Sequence, residues 1–286
     1  MKEWQSNFPI KVMCQVLEVS RSGYYIWRDR KPSNRAQYDE RLKVAIRAAH
    51  KRTRETYGVL RLQPELAADG FPAGRDRIAR LRRQMGIRCR QKRKFIATTN
   101  SNHEFPVAEN LLNQEFKPTA PHQVWVTDIT YIPTAEGWLY LAGLKDLFTC
   151  EIVGYAMDEH MTQELTAAAL IQAVKHKQPL PGLIHHSDRG SQYCATDYRK
   201  LVEKCGMTAS MSRRGNCYDN APMESFWGSL KNELVHHCRY LTRAEAKASI
   251  TEYIEIFYNR QRRHSRLGNV SPAVFTQEFN IQLAAA

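Results

Sequence analysis

Residues 123–158 constrain the fold more than any other stretch of this chain. Three segments, 123–132, 138–146 and 151–158, are rich in Val, Ile, Tyr and Trp, and only a few residues separate each from the next. Such side chains suit a pleated, half-buried surface, and Pro133 and Gly137 supply turn chemistry between the first two segments. Connections this short favour antiparallel neighbours, because a parallel return needs a dozen or more residues. The pattern then alternates: a helix over 163–176, a short strand over 183–186, a helix near 195–205, a short strand near 208–212 and a long helix from about 221. The reading is an α/β architecture, a mixed sheet with helices on its faces.

The first third reads differently. Ile10, Met13, Val16 and Leu17 recur at helical spacing. Ser20 stands as the N-cap of a second short helix carrying Tyr24, Tyr25 and Trp27. A clearer helix over 38–51 places Leu42, Ala45, Ile46 and Ala49 on one face. Another over 75–85 carries Ile78, Leu81 and Met85, with Gly86 at the position where helices commonly stop. Residues 97–121 are polar, contain Pro106, Pro118 and Pro121, and read as a linker. The expected organisation is a helical segment over 1–35, a basic all-α domain of helix-turn-helix type over 36–96, the linker, and a catalytic core with a C-terminal helical extension over 122–286.

Charge separates the same parts. Of 42 Lys and Arg and 29 Asp and Glu, residues 1–121 hold 25 basic and 12 acidic side chains, whereas the remainder is balanced. Between positions 75 and 94, ten basic residues accompany one acid, Asp76. A solvated helix face normally mixes both signs, so this excess predicts phosphate contact by Arg75, Arg77, Arg80, Arg82, Arg83, Arg90, Lys92, Arg93 and Lys94. Arg213 and Arg214 are expected to add to the DNA-binding surface. The start of the chain shows no apolar signal segment, and the apolar run 138–144 is too short to span a bilayer. Seven scattered cysteines form no C-x-x-C pair, which argues against a disulfide framework or zinc knuckle and suits a reducing cytoplasm. No membrane association is expected.

Three carboxylates stand out. Asp128 interrupts the apolar run of the first strand, where Asp is disfavoured. Asp188 follows the strand around 182–187, at an end where sites gather in open sheets. Glu224 opens the helix that begins near Pro222, after a loop containing Gly215, Asn216, Asp219 and Asn220 that reads as flexible. Singly, each has an ordinary explanation: a satisfied buried acid, a turn residue, a helix cap. As a set, with 35 residues between the second and third, they converge if the two strands are neighbours. Clustered carboxylates repel unless cations sit among them. An all-oxygen site suits Mg2+ or Mn2+, and two such ions serve phosphodiester chemistry.

Seven positions after Glu224, Lys231 shares its helical stripe, with Gly228 between them. Met223, Phe226, Trp227, Leu230 and Leu234 take the core-facing side. Lys231 is therefore expected to hold a phosphate beside the scissile one; Gly228 either packs closely against another element or leaves room for the backbone of DNA.

At these residues the sequence resembles the transposases of bacterial insertion sequences that share the retroviral-integrase catalytic core, in particular the second-frame product of the group with two overlapping frames. The matching stretches are Trp-Val-Thr-Asp-Ile-Thr-Tyr at 125–131, His-Ser-Asp-Arg-Gly-Ser-Gln-Tyr at 186–193 and Ser-Arg-Arg-Gly-Asn-Cys-Tyr-Asp-Asn-Ala-Pro-Met-Glu-Ser-Phe-Trp at 212–227. Tyr-Asn-Arg-Gln-Arg-Arg-His at 258–264, Leu267, Gly268 and Pro272 also match, as does the basic segment around Tyr57, Gly58 and 75–86. The resemblance implies a ribonuclease H-like five-stranded sheet and a catalytic triad of Asp128, Asp188 and Glu224 holding two Mg2+ ions, with Mn2+ able to substitute. It also implies the terminal inverted repeats of an element and target DNA as substrates, oligomers on DNA, and a first-frame helix-turn-helix protein as companion or fusion partner. A bacterial, nucleoid-associated location follows. The expected reaction is hydrolysis at the element's 3′ end, then attack of the freed 3′-hydroxyl on another phosphodiester, without a covalent protein–DNA intermediate. The competing readings are a nuclease that only hydrolyses, a DNA-binding regulator with an inert core, and a tyrosine recombinase.

Overall fold

The computed structural model describes residues 1–90, 107–213 and 216–285. Strands β1 (Val124–Thr134), β2 (Gly137–Asp146) and β3 (Ile152–Asp158) form the antiparallel meander read from the sequence. Strand β4 (Ile184–Ser187) lies parallel to β1, and β5 (Thr208–Met211) parallel to β4, giving one sheet in the order β3-β2-β1-β4-β5. This is the ribonuclease H-like arrangement, with the longest strand at its centre.

Alternation along β1 divides its side chains between two cores. Val124 and Val126 join Leu141, Met223, Phe226, Trp227, Tyr253 and Tyr258 on one face; Trp125 joins Leu144, Val153, Ala169, Tyr193 and Tyr198 on the other. The second face is covered by α6 (Gln163–Lys177), a single turn α7 (Ser191–Cys194) and α8 (Thr196–Lys204). The first is covered by α9 (Ala221–Glu233), α10 (Arg243–Glu252) and a π-helix over Tyr253–Gln261, with α11 (Pro272–Ala285) beyond.

The short helices near the N-terminus are α1 (Ile10–Val16) and α2 (Arg21–Arg28), and the Ser20 hydroxyl accepts the Gly23 N–H at 3.0 Å, the N-cap read from the sequence. A separate core joins α3 (Asn34–Arg52), α4 (Val59–Ala68) and α5 (Arg75–Gln84) through Leu42, Ile46, Leu62, Leu66, Ile78 and Leu81. Gly86 follows α5 with φ +68°, as its place past the helix end implies. Helix α4 has no counterpart in the sequence reading, because Pro64 sits inside it. Proline costs a helix interior ~3 kcal/mol, while burying two leucines returns roughly 3–6 kcal/mol, so packing decides. Among the described residues no helix is long and apolar enough to cross a membrane.

The three-helix unit meets the end of the catalytic part along a polar seam. The Arg263 N–H donates to the Tyr57 hydroxyl at 2.7 Å and its Nε to Glu65 at 2.5 Å, while Arg54 pairs with Glu252. Glu233, at the end of α9, accepts both Nε and Nη2 of Arg262 at 2.8 Å and the Tyr253 hydroxyl at 2.8 Å; Arg61 lies 3.8 Å away.

Candidate active site

In the parallel β1/β4 pair, Val126 stands opposite His186. Asp128, inside β1, and Asp188, just past the end of β4, each lie two residues further along, so the two acids stand at the same level of adjacent chains. Asp128 is half-buried; its Oδ1 accepts the Ile129 N–H at 2.8 Å and its Oδ2 accepts Trp227 Nε1–H at 3.0 Å. Burial first, then the charge of Asp188 and to a smaller degree that of Glu224, push the Asp128 carboxyl up to about 8, against the pull of its two hydrogen bonds. Asp188 leaves its strand in a tight turn, accepting the Gly190 N–H at 2.9 Å. Glu224 occupies the first turn of α9, exposed at its tip, and partial loss of hydration pushes its carboxyl up.

The fold therefore brings Asp128 within electrostatic reach of both other acids. Among the described residues, no group of three His, Cys, Asp or Glu side chains is arranged as it stands to hold a metal ion.

The loop before α9 corrects one expectation. Asp219 and Asn220 are buried, not part of a flexible turn. Asp219 accepts the Arg213 N–H, two guanidinium bonds from Arg213, and amide bonds from Asn110 and Gln114. Five donors on one carboxylate fix the path into α9 and tie it to the segment arriving from the helical unit. Asn220 Nδ2 then donates at 3.0 Å to the carbonyl of Thr127, the residue before Asp128.

An integrase core domain family model matches residues 118–217 and a second integrase core domain model matches residues 224–278, while an HTH-like domain model matches residues 37–95. The Insertion element IS600 uncharacterized 31 kDa protein of Shigella sonnei is 66% identical over 273 residues, 96% of this chain and 100% of that protein. Transposase InsF for insertion sequence IS3A, from Escherichia coli (strain K12), is 41% identical over 277 residues, 96% of each chain. The chain belongs to the IS3 family of insertion-sequence transposases. A solved simian T-cell lymphotropic virus intasome aligns with 74% of this chain and 69% of its own at 14% identity and a TM-score of 0.48, a likeness too weak to add to the fold described above.

The transposase is thus a DDE-type polynucleotidyl transferase, and its substrate is DNA. Its basic residues are less uniformly presented than their sequence implies. Arg75 and Arg83 are exposed. Arg77 and Arg80 both bond Asp39 of α3 at 2.7 Å, and Arg90 bonds Glu55 at 3.2 Å. Arg82 is only 7% exposed and donates to Cys89 Sγ, which corrects its placement on an open basic face. The guanidinium of Arg213 is engaged by Asp219. Lys92, Arg93, Lys94 and Arg214 lie outside the described residues.

Lys231 also departs from expectation. It is 7% exposed, with Nζ 4.9 Å from the centre of the Tyr131 ring. Burial lowers its pKa while the charge of Asp128 opposes that shift. Its ammonium is buried against the Tyr131 ring, within electrostatic reach of Asp128, instead of standing on an open stripe. Around Gly228, an added Cβ would meet nothing within 4 Å, so close packing does not explain this glycine. The sequence reading assigned Trp227 to the core and missed its contact with Asp128; the available signal was that a buried indole N–H needs an acceptor.

Proposed function

We propose that this transposase cleaves and joins DNA at Asp128, Asp188 and Glu224, using two divalent cations, Mg2+ or Mn2+, held among these carboxylates. The observation that carries the reading is the placement of Asp128 inside the central strand, level with Asp188 on the adjacent parallel chain and within electrostatic reach of Glu224, where burial and the two acids push its carboxyl up to about 8. A cation would relieve that accumulation of charge, and the donors are all hard oxygens. The buried Oδ1 of Asn220, on the residue that anchors α9 to β1, has no hydrogen-bond partner among the described residues and leaves another oxygen to be satisfied. When bound, such ions make water a competent nucleophile and stabilise the leaving oxygen of a phosphodiester.

The residues around the acids set position. Ile129 N–H and Trp227 Nε1–H orient Asp128, the Gly190 N–H orients Asp188, and Asn220 holds the start of α9 against β1. Water and then a DNA 3′-hydroxyl are the nucleophiles, so no side chain becomes linked to DNA. Exposed Arg75 and Arg83 lead the phosphate contacts; Arg77, Arg80, Arg90 and Arg213 join by exchanging their carboxylate partners, and Lys231 acts from beside the acids. The transposase works in the bacterial cytoplasm as an oligomer on the terminal repeats, beside or fused to a first-frame helix-turn-helix protein. Exposed Trp4, Phe8, Leu17 and Trp27 support a protein contact at that end.

The test uses labelled terminal-repeat DNA with Mg2+. Asp128→Asn, Asp188→Asn and Glu224→Gln should each abolish cleavage and joining while DNA binding persists. Near-normal cleavage by any one variant removes that residue from the site. Cleaved but never joined products would favour a nuclease.

A further inference from the structure

We infer that Trp227 is the positioning residue for Asp128, and that Gly143 is the gap that admits its indole. The inference rests on the carboxylate site proposed above. A carboxylate offers about four lone-pair directions. In Asp128 one oxygen is held by the Ile129 N–H at 2.8 Å and the other by Trp227 Nε1–H at 3.0 Å. One donor on each oxygen fixes the plane of the group and leaves one lone pair on each oxygen for a ligand.

The donor also sets a spacing. Trp227 lies one turn after Glu224 on α9, so one helix carries both an acid of the site and the group that grips another. With the Asn220 bond to Thr127 at the start of the helix, the Trp227 hydrogen bond couples the position of Asp128 to that of Glu224.

A plain alternative is that the 6% exposed indole merely found the nearest acceptor. Gly143 argues against it. It is the cross-strand partner of Asp128 in the β1/β2 ladder. A Cβ there would stand 3.0 Å from Trp227 Cη2 and 2.9 Å from Met223 Cε, so even a methyl group displaces the ring or its neighbour. Glycine weakens a strand interior. The strand forgoes a side chain at the position directly opposite the acid, where the indole lies against the sheet.

The experiment compares the full-length wild type with Trp227→Phe, Gly143→Ala and Asp128→Asn. Mn2+ binding is followed by electron paramagnetic resonance, alongside the Mg2+ dependence of terminal-repeat cleavage and metal-free DNA affinity. Removing groups that orient metal ligands typically costs 10- to 100-fold in affinity or activity. Trp227→Phe, which keeps a ring but loses the donor, should raise the Mn2+ half-saturation point at least tenfold, with added Mg2+ restoring part of the cleavage. DNA affinity should stay within about twofold. Gly143→Ala should shift metal binding the same way, and the double variant should lose no more than Trp227→Phe alone. Unchanged Mn2+ and Mg2+ dependence in Trp227→Phe, with Asp128→Asn inactive, overturns the role of Trp227 alone. Wild-type Mn2+ binding and cleavage by Asp128→Asn overturns the underlying site. Should Trp227→Phe not fold, Gly143→Ala decides, and unchanged metal binding in it overturns the inference.

Discussion

Gly228 separates two roles that a glycine inside a helix can have. Glycine costs a helix interior about 1 kcal/mol relative to alanine, and here no neighbour demands it. Gly228→Ala should therefore raise the melting temperature by roughly 2–4 °C, the shift that 1 kcal/mol brings in a domain of this size. Gly228→Leu should fold equally well yet cleave terminal-repeat DNA poorly if the open space receives the DNA backbone. Normal cleavage by the leucine variant would show that the space is unused. At this scale the sequence was legible where a residue conflicts with its own segment, as Asp128 does within an apolar strand. It was opaque where the partner is remote: Asp39 binds Arg77 and Arg80 from another helix, and Trp227 reaches Asp128 across 99 positions. Spacing along α9 placed Trp227 inside correctly but carried no information about its N–H.

The short strand β4 carries a pair of histidines, separated from Asp188 by Ser187. His185 is buried with its Nε2 3.0 Å from the Tyr198 hydroxyl, and His186 meets Ser210 at 2.8 Å and Ser212 at 3.2 Å. Burial is the main cause that depresses both to about 4. The native protein keeps these rings neutral while the unfolded chain takes up protons near 6.5. The stabilisation is thus complete above pH 6.5 and is lost as the pH falls from there to about 4. For His185 the loss is about 3 kcal/mol. His185→Gln, polar but not titrating, should show a shallower fall in melting temperature across that interval, and an unchanged slope would exclude His185. Elements were legible wherever a strong period ran uninterrupted, as in β1 to β3 and α6. Helix α4 was hidden by Pro64, since its stability comes from contacts with α3 and α5 that no local pattern announces.

Across the molecule, the seam around Glu233 joins the helical unit to the catalytic part. Glu233 and Arg262 are both buried, and removing one partner of such a pair leaves an uncompensated charge at a cost of roughly 3–5 kcal/mol. Arg262→Met should lower the melting temperature markedly, while Arg262→Met combined with Glu233→Met should recover much of the loss. If the single variant melts like the wild type, the pair does not hold the end of α9 to the segment carrying Arg262. Glu233 is nine residues after Glu224 on the same helix, about 14 Å at 1.5 Å per residue. The rod that ends where the helical unit is gripped begins at Glu224, one of the three acids of the proposed site. This rod limits which helical units the catalytic part can accept. A recombinant that received a foreign 37–95 region would need tyrosine, arginine and glutamate counterparts for Tyr57, Arg61 and Glu65 to face Arg262, Arg263 and Glu233. The helical unit is then inherited as a matched set with the tail of the catalytic part, not as a detachable cassette.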